Sequence, residues 1–365
     1  MKLAILGTRG VPASHGGFET FAEALALYLV GRGWEVTVYC QEDGVGEVQE
    51  DEWCGIRRVI MPIKQGGALG TIIFDWRSIW HLLATDQKLV LTLGYNTAVF
   101  CAPYRLYGIR NLINMDGIEW RRQKWSFAER AWFWLNERLG CFIGNHLIAD
   151  HPEIANHLST RISRNKITMI PYGAQEILSA EVSLLAQFGI EQNRFVTVIA
   201  RPEPENSILE IVRAFSQKRR NRKLVMLGCY EPEKNAYHAD VLAAASDEVL
   251  FPGAIYDKRI VEVLRFYSRL YIHGHQVGGT NPSLVEAMGA GSAVLAHDNR
   301  FNRWVAGGGA SYFENENECA ERLSELLDED STIERMRLSS RVRFNELFTW
   351  ENVLGQYERL LTKWG

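Results

Sequence analysis

The sequence has no run of apolar residues long enough to cross a membrane. Its most hydrophobic region, residues 127–149, is interrupted by two glutamates and two arginines, whereas a spanning helix needs about 18 nearly uncharged residues. At the N-terminus only residues 3–6 form an apolar run before Thr8 and Arg9, which is too short for a signal peptide. We therefore expect a protein that neither spans a membrane nor is exported.

Paired cysteines and an excess of one charge are also missing. The cysteines lie far apart, without a C-x-x-C pair or metal-ligand spacing, which is typical of a reducing cytoplasm. They are Cys40, Cys54, Cys101, Cys141, Cys229 and Cys319. With 40 basic and 44 acidic residues, no overall field indicates a nucleic-acid partner. The literal D-x-D match, residues 328–330, reads as a solvated helix boundary, so we predict no metal and no cofactor.

What is present is an alternation of short apolar runs with longer amphipathic ones, which predicts an α/β protein with mostly parallel sheets. The chain has 365 residues, enough for about two domains. The predicted strands are residues 3–6, 36–40, 57–60, 89–93, 112–115, 146–149, 167–170, 195–200, 224–227, 249–251, 270–273 and 293–296. These are too many for one open sheet. The natural break is at residues 171–173, and a last helix is predicted over residues 350–361 after Thr349.

Ligands of open α/β sheets bind beyond the carboxyl ends of the strands. The first such loop carries Gly7, Arg9 and Gly10 and reaches Gly16 and Gly17 at a helix start. Glycine amides at a helix N-terminus suit a phosphate. A plain tight connection explains the same residues, and the spacing differs from the G-x-G-x-x-G of dinucleotide folds.

The second loop begins with Arg201, directly after a predicted strand. An arginine there can hold phosphate oxygens through paired N–H groups. Alternatively, it is a surface residue beside Glu203 and Glu205.

The third loop runs from His273 through glycines to a short helix. Pro282 suits the first helical position, and Asn281 or Thr280 suits the cap. Glu286 follows one turn later on the same helix face, within reach of a sugar hydroxyl on a ligand whose phosphate lies at the helix start. A solvated glutamate is the simpler alternative.

Four segments carry a resemblance to a known family. They are GTRGVPASHGGFETFAE from Gly7, DGIEWRRQKW from Asp116, ARPEPEN from Ala200 and HGHQVGGTNPSLVEAMGAG from His273. In this order they resemble the bacterial rhamnosyltransferase-like branch of the retaining GT-B glycosyltransferases of family 4. The resemblance implies two Rossmann-like domains facing each other across a cleft, with the C-terminal helix returning to the first domain. It assigns acceptor binding to residues 1–172 with 350–365, and donor binding to residues 173–349.

The same resemblance implies the site. Arg201 would neutralise the donor diphosphate, residues 281–283 would bind it, and Glu286 would hold the ribose. The catalytic candidates are Arg201, Asp116 and Glu286. The donor-binding candidates are Arg9, Gly16, Gly17, Arg201, Asn206, Tyr256, His275, Gly279, Thr280, Asn281, Pro282, Ser283 and Glu286. The acceptor-binding candidates are His15, Glu19, Asp116, Glu119, Trp120, Arg121 and Arg122.

Two departures from the family pattern bear on the donor. Gly278 stands where the wider family has a second glutamate that contacts the sugar, and Asn206 replaces the usual lysine. A deoxy-sugar needs fewer hydroxyl partners, so we expect transfer of L-rhamnose from dTDP-β-L-rhamnose to a lipid-linked saccharide in bacterial surface polysaccharide synthesis. The alternatives are a UDP- or GDP-hexose donor, a non-catalytic sugar-nucleotide-binding subunit, and an NAD-dependent oxidoreductase, which would need Glu42 or Asp43 as its ribose ligand.

A tryptophan-rich segment has two interpretations. Trp120, Trp125, Trp132 and Trp134 alternate with basic residues, a composition that suits a lipid headgroup layer. We therefore expect a cytoplasmic protein that can lie at the inner face of the plasma membrane. The alternative is that an apolar stripe at helical spacing packs into the core. That stripe consists of Ala128, Trp132, Leu135, Leu139 and Phe142.

Overall fold

The computed structural model describes residues 1–14 and 16–365, which form two compact units. Unit 1 comprises Met1–Pro171 and Trp350–Gly365, and unit 2 comprises Tyr172–Thr349. Each unit is an α/β structure with one sheet. Most strands of both sheets are short runs of buried apolar residues, as expected where helices cover both faces of a parallel sheet.

Unit 1 has an eight-stranded sheet in the order β3-β4-β2-β1-β5-β6-β7-β8, parallel except for β3 against β4. The strands are β1 Lys2–Leu6, β2 Glu35–Asp43, β3 Gln49–Trp53, β4 Ile56–Ile63, β5 Leu89–Leu93, β6 Arg110–Asn114, β7 His146–Ala149 and β8 Ile167–Met169. The helices are α1 Gly17–Gly31, α2 Gly67–Leu83, α3 Phe127–Ile143 and α4 Pro152–Ser159, and a 3-10 segment spans Ala98–Arg105.

Unit 2 has a six-stranded parallel sheet in the order β11-β10-β9-β12-β13-β14. The strands are β9 Phe195–Ile199, β10 Lys223–Leu227, β11 Val249–Gly253, β12 Leu270–His273, β13 Val294–His297 and β14 Ser311–Phe313. The helices are α5 Ile208–Ser216, α6 Ala236–Ala243, α7 Lys258–Phe266, α8 Pro282–Gly289, α9 Arg300–Ala306, α10 Glu316–Leu326 and α11 Asp330–Leu347. Because β9 and β12 are neighbours, the loops that follow them leave the sheet side by side.

The last helix, α12 (Trp350–Thr362), packs in unit 1, so the predicted return of the C-terminal helix is confirmed. The rings of Phe21 and Tyr357 lie 4.6 Å apart. The Tyr28 hydroxyl donates to Glu358 over 3.0 Å, and the Asn114 amide donates to the Tyr357 hydroxyl over 2.9 Å. Aromatic packing and a buried hydrogen bond thus attach the chain end to α1 and β6.

The structure contains every predicted strand and adds two, β3 and β14. Strand β3 is QEDEW, a charged segment without apolar alternation. It forms an exposed antiparallel edge whose carboxylates pair across the strands, Glu50 with Arg57 at 2.5 Å and Asp51 with Arg58. Cross-strand charge pairs of this kind hold an edge strand without burying it.

The core interpretation of the α3 stripe is wrong for Ala128, Leu135 and Phe142, which are exposed. The buried face of α3 instead carries Asn136 and Glu137, which are almost fully covered. Polar groups can be buried when they are hydrogen-bonded; the Asn136 carbonyl accepts from the Val99 amide over 3.0 Å. Among the described residues, no helix combines the length and apolarity that crossing a bilayer requires.

Candidate functional site

In unit 2 the loop after β9 presents Arg201 to solvent. Its guanidinium makes no hydrogen bond or ion pair with the residues that the structure describes. A buried side chain fixes the backbone of this loop, because the Asn206 side-chain amide donates a hydrogen bond to the Arg201 carbonyl over 2.9 Å. The loop is therefore rigid at its base while its cation is available to a ligand.

The loops after β9 and β12 are bonded to each other. The Ser207 hydroxyl donates to the Gly274 carbonyl over 2.8 Å and accepts from the Gln276 amide over 3.0 Å. Gly274 lies so close that a Cβ atom would stand 2.1 Å from the Asn206 carbonyl oxygen. Only glycine allows this approach, which keeps Arg201 and the glycine loop on one surface.

Helix α8 begins as its sequence predicts. Pro282 is its first residue, and the Asn281 side chain caps it by accepting the Ser283 N–H over 3.0 Å. The Ser283 hydroxyl contacts the Tyr271 hydroxyl at 2.6 Å and donates to the Ile199 carbonyl over 3.1 Å. The helix start is therefore attached to the end of β9, two residues before Arg201. Since the cap already uses the Ser283 N–H, an anion here would be bound by the preceding loop and the helix dipole.

Glu286 lies one turn into α8 and pairs with Arg265 of α7 at 2.5 Å. The Glu286 side chain is 32% exposed, whereas that of Arg265 is 9% exposed. The guanidinium also reaches the Ser283 hydroxyl over 3.4 Å. Sequence reasoning missed Arg265, because an arginine in an amphipathic helix normally indicates a solvent-facing position. The pair holds the Glu286 carboxylate in place while leaving part of it open.

The histidines after β12 are stacked. The rings of His273 and His275 lie 4.3 Å apart and nearly parallel. His273 is buried, and among the described residues its ring nitrogens have no hydrogen-bond partner. Burial lowers the pKa of His273 well below its usual value, and the charges of His275 and His297 add to this, so the ring is neutral. The His275 carbonyl accepts from Asn299 and Asn302 over 3.0 and 2.8 Å, which fixes the loop at the start of α9.

The remaining donor-side predictions of unit 2 lie in loops. Gly279 and Thr280 immediately precede the α8 cap, and Thr280 is buried. Tyr256 lies between β11 and α7 with an exposed side chain. Their roles stay predictions.

In unit 1 the loop after β1 requires its glycines. Gly7 has a φ of +81°, and a Cβ atom there would stand 2.1 Å from the Leu93 carbonyl oxygen. Arg9 is exposed and lines a cavity of about 200 Å³ together with Cys40, Gln41 and Glu42. The sequence indicated Arg9 and its loop, but it did not predict that side chains of β2 and β4, among them Gln41 and Arg58, complete the cavity.

The start of α1, a predicted phosphate site, carries acidic side chains. Gly16 is the cap residue and offers no side chain, and Gly17 opens the helix. Two carboxylates lie close by: Glu19 is buried in the first turn, and Glu23 accepts the Ala13 N–H over 2.6 Å. Negative side chains already occupy the favourable end of the helix dipole. His15, an acceptor candidate, lies outside the described residues.

Asp116 follows β6 with a φ of +49°, a left-handed conformation that is unusual for a residue with a side chain and often marks a functional position. The Asn114 side chain accepts its N–H over 3.1 Å. Burial, and secondly the charge of Glu119, raise the pKa of Asp116 above its usual range, against the opposing effects of the Gly117 N–H and Arg122. A carboxyl group of this kind can exchange a proton near neutral pH.

The segment after Asp116 is held by internal bonds. The Glu119 carboxylate pairs with Arg122 at 3.0 Å and accepts the Trp125 indole N–H over 3.1 Å. The Trp120 indole donates to the buried Glu137 over 2.8 Å. Arg121 remains exposed above the Trp120 ring. Among the described acceptor candidates, Arg121 thus has an exposed guanidinium that contacts the Trp120 ring rather than a carboxylate.

Glu137 is a second residue that sequence reasoning missed. It pairs with His157 at 3.0 Å and with Arg161 at 2.9 Å. Burial acts to raise the pKa of Glu137, but the hydrogen bonds from His157 and Trp120 and the charges of His157 and Arg161 outweigh it and hold the pKa below its usual value. The ionised carboxylate therefore joins the segment after Asp116 to α3 and α4.

Comparisons with known proteins agree with this architecture. Residues 1–175 match a domain of unknown function, DUF1972, and residues 184–343 match the glycosyl transferases group 1 family. A search of curated protein sequences found no significant match.

Solved structures match over almost the whole chain at low identity. Sucrose-phosphate synthase from Thermosynechococcus elongatus has a TM-score of 0.84 at 17% identity, covering 99% of this chain and 98% of its own. Anabaena HepE, in complex with UDP and glucose, has a TM-score of 0.77 at 14% identity and full coverage of both chains. An α,α-trehalose-phosphate synthase from Burkholderia xenovorans has a TM-score of 0.76 at 12% identity, covering 99% of this chain and 100% of its own. Residues 184–343 therefore match the glycosyl transferases group 1 family, and the chain has the GT-B fold of two Rossmann-like α/β units.

Proposed function

We propose that this protein is a retaining glycosyltransferase that moves a sugar from a nucleoside diphosphate to a saccharide acceptor. The observation that carries the proposal is the arrangement on α8. A capped helix start adjoins the loop of the exposed Arg201, and a carboxylate one turn later is held by Arg265. This arrangement lies within the residues that match the group 1 family.

In the proposed reaction the donor diphosphate lies between Arg201 and the start of α8, and Glu286 accepts a hydrogen bond from a hydroxyl of the nucleoside's ribose or deoxyribose. The bond between the sugar and the diphosphate breaks, the acceptor oxygen forms the new glycosidic bond on the same face, and the acceptor proton passes to the departing phosphate. Fixed positive charge stabilises the leaving group as its negative charge grows. Retention from a β-L-rhamnosyl donor yields a β-L-rhamnoside.

We propose dTDP-β-L-rhamnose as the donor. Gly278 has a φ of +138°, a conformation that residues with side chains rarely adopt, so this loop does not present the glutamate that the wider family pattern places there. A UDP- or GDP-hexose is the second candidate, supported by the solved complex of HepE with UDP-glucose. Asn206 supports the Arg201 loop, which is a structural reason for its presence in place of a lysine.

We propose that the acceptor is a saccharide, lipid-linked, of a surface polysaccharide, and that unit 1 binds it. Arg9, Gln41 and Glu42 line a cavity in unit 1. Their hydrogen-bond donors and acceptors suit a polyhydroxylated ligand. Asp116 is the residue we expect to contact the reacting hydroxyl. We propose no metal in the reaction; the carboxylates of the D-x-D match pair with arginines, Asp328 with Arg222 at 3.0 Å and Asp330 with Arg269 at 2.5 Å.

The test is incubation of the purified protein with dTDP-rhamnose, UDP-glucose or GDP-mannose and a panel of lipid-linked saccharides, with products identified by mass spectrometry. Arg201→Ala should abolish transfer and leave the fold intact. Arg219→Ala, which removes another exposed arginine of unit 2, should transfer normally. Product from a hexose donor alone would favour the second candidate. Nucleotide binding without any product would favour a non-catalytic subunit.

A further inference from the structure

Two helices of unit 1, α2 and α3, expose large aromatic side chains. On α2, Trp76 and Trp80 are 46% and 47% exposed, and on α3, Trp134 and Phe142 are 43% and 73% exposed. Phe100 belongs to the segment Ala98–Arg105, which lies between α2 and α3 along the chain. We call these five residues the aromatic face. Contiguous exposed apolar groups on a soluble protein usually mark an interaction surface.

The aromatic face lies on three elements that contact one another. Trp76 contacts Trp80 and Phe100, with ring centroids 5.5 and 5.1 Å apart. At the other end of the Phe100 segment, Arg105 lies over the Phe142 ring at 5.4 Å and donates to the Ile143 carbonyl over 3.0 Å. These contacts join α2 to the segment Ala98–Arg105 and that segment to the end of α3, so the exposed rings lie on elements that pack together.

The charge of this surface is positive, although the whole chain carries a net charge of −4. Arginines accompany the rings: Arg77 lies on α2, Arg105 at the end of the segment, and Arg138 over the Trp134 ring at 3.5 Å.

The acidic residues of the same elements are mostly withdrawn from solvent. Asp75 is buried and accepts from Thr97 over 2.6 Å, and Glu137 is buried among its partners. Glu129 is exposed, but it caps the first turn of α3. The exposed chemistry is thus aromatic and cationic.

We propose that the aromatic face binds the surface of an anionic lipid bilayer. Tryptophan rings favour the headgroup layer, and arginines add attraction to anionic lipids. A second copy of the chain fits less well, because a two-fold contact would bring like-charged arginines together. The proposal concerns where the protein lies and does not depend on the transfer reaction.

The surface differs from the tryptophan-rich segment that the sequence indicated. The indole N–H groups of Trp120, Trp125 and Trp132 all donate to protein oxygens, those of Glu137, Glu119 and Asn96. Trp134 is the residue that the two surfaces share.

The test is co-sedimentation with lipid vesicles. The wild-type protein should bind vesicles of equimolar phosphatidylcholine and phosphatidylglycerol, bind less as salt increases, and not bind phosphatidylcholine alone. The double variant Trp76→Ser/Trp80→Ser should lower the partition coefficient by about tenfold or more. Its control is Leu338→Ser/Val342→Ser, which removes exposed apolar residues of α11 and should bind like wild type.

The charge contribution has its own matched pair. Arg138→Gln should weaken binding to the anionic vesicles by about fivefold, whereas Arg219→Gln in unit 2 should leave it unchanged. Circular dichroism and thermal melting check that every variant is folded, so that a loss of vesicle binding is read separately from any loss of the proposed activity.

Three results would overturn the proposal. The first is no binding of the wild-type protein to anionic vesicles. The second is unchanged binding of the Trp76→Ser/Trp80→Ser variant. The third is a concentration-dependent dimer in light scattering that the same variant dissociates, which would assign the aromatic face to a second copy of the chain.

Discussion

Replacing Arg265 by methionine tests whether this residue positions Glu286. The substitution keeps most of the side-chain volume and removes the cation that lies 2.5 Å from the carboxylate. Breaking a buried ion pair costs about 3–5 kcal/mol, and an exposed pair is worth about 0–1 kcal/mol. Because the Glu286 side chain is 32% exposed, we expect an intermediate loss of about 2 kcal/mol in the free energy of unfolding, measured with urea.

The diagnostic effect is on ligand binding. Without Arg265 the carboxylate is free to move, and a charge-assisted hydrogen bond to a ribose hydroxyl is weakened by about 1.4 kcal/mol, or about tenfold in Kd. Titration calorimetry should show this loss for UDP and dTDP and no change for inorganic pyrophosphate, which has no ribose. Arg265→Lys keeps the charge and should recover part of the affinity.

Arg269→Met is the matched control. Arg269 is equally buried and pairs with the exposed Asp330 at the same distance of 2.5 Å. Its loss should reduce stability without altering nucleotide binding. The reasoning about Arg265 is refuted if pyrophosphate binding falls as much as UDP binding. It is also refuted if Arg265→Met and Glu286→Gln have strictly additive effects on UDP affinity in a double-mutant cycle.

Two further predictions concern stability. Burial raises the pKa of Asp75 to about 6 against the opposing hydrogen bond from Thr97, so the folded protein binds more protons than the unfolded chain between about pH 4 and pH 6. The free energy of unfolding of the wild type therefore falls with rising pH in this window. Relative to the wild type, the D75N variant should gain about 2–3 kcal/mol in the free energy of unfolding between pH 4 and pH 7. A difference between the two proteins that stays constant across this range in urea unfolding would contradict the assignment. Gly274→Ala should lower the free energy of unfolding by about 2–3 kcal/mol, because the added Cβ atom would overlap the Asn206 carbonyl oxygen. Gly308→Ala, whose Cβ atom would have no neighbour within 4 Å, should melt like wild type in calorimetry.

Much of the fold was predictable because its signals are local. A buried parallel strand is a short apolar run, so the sequence alone predicts β1, β5 and β9. The start of α8 is legible for a similar reason, since Asn281 and Pro282 suit only the cap and first position of a helix. Once that start is known, the helical repeat places Glu286 one turn later.

The partners of these residues were not predictable, because they come from distant parts of the chain. Nothing near Arg265 in sequence indicates a carboxylate 21 positions later on another helix. The buried polar face of α3 is a similar case: Glu137 is stabilised by His157 and Arg161, and periodicity alone favours the apolar stripe. Strand β3 forms because β4 offers arginines to its acidic residues.

The order of amino acids by itself determined the α/β class, the helix caps, the glycine loops and the exposed cation at Arg201, since each depends on backbone conformation or on neighbours a few residues away. The tertiary structure decided which charges are buried in pairs, which face of α3 is buried, and that α2 and α3, with their exposed rings, pack against the same segment, Ala98–Arg105. Those outcomes depend on the desolvation of groups far apart in the chain, and that energy exists only once the elements have packed together.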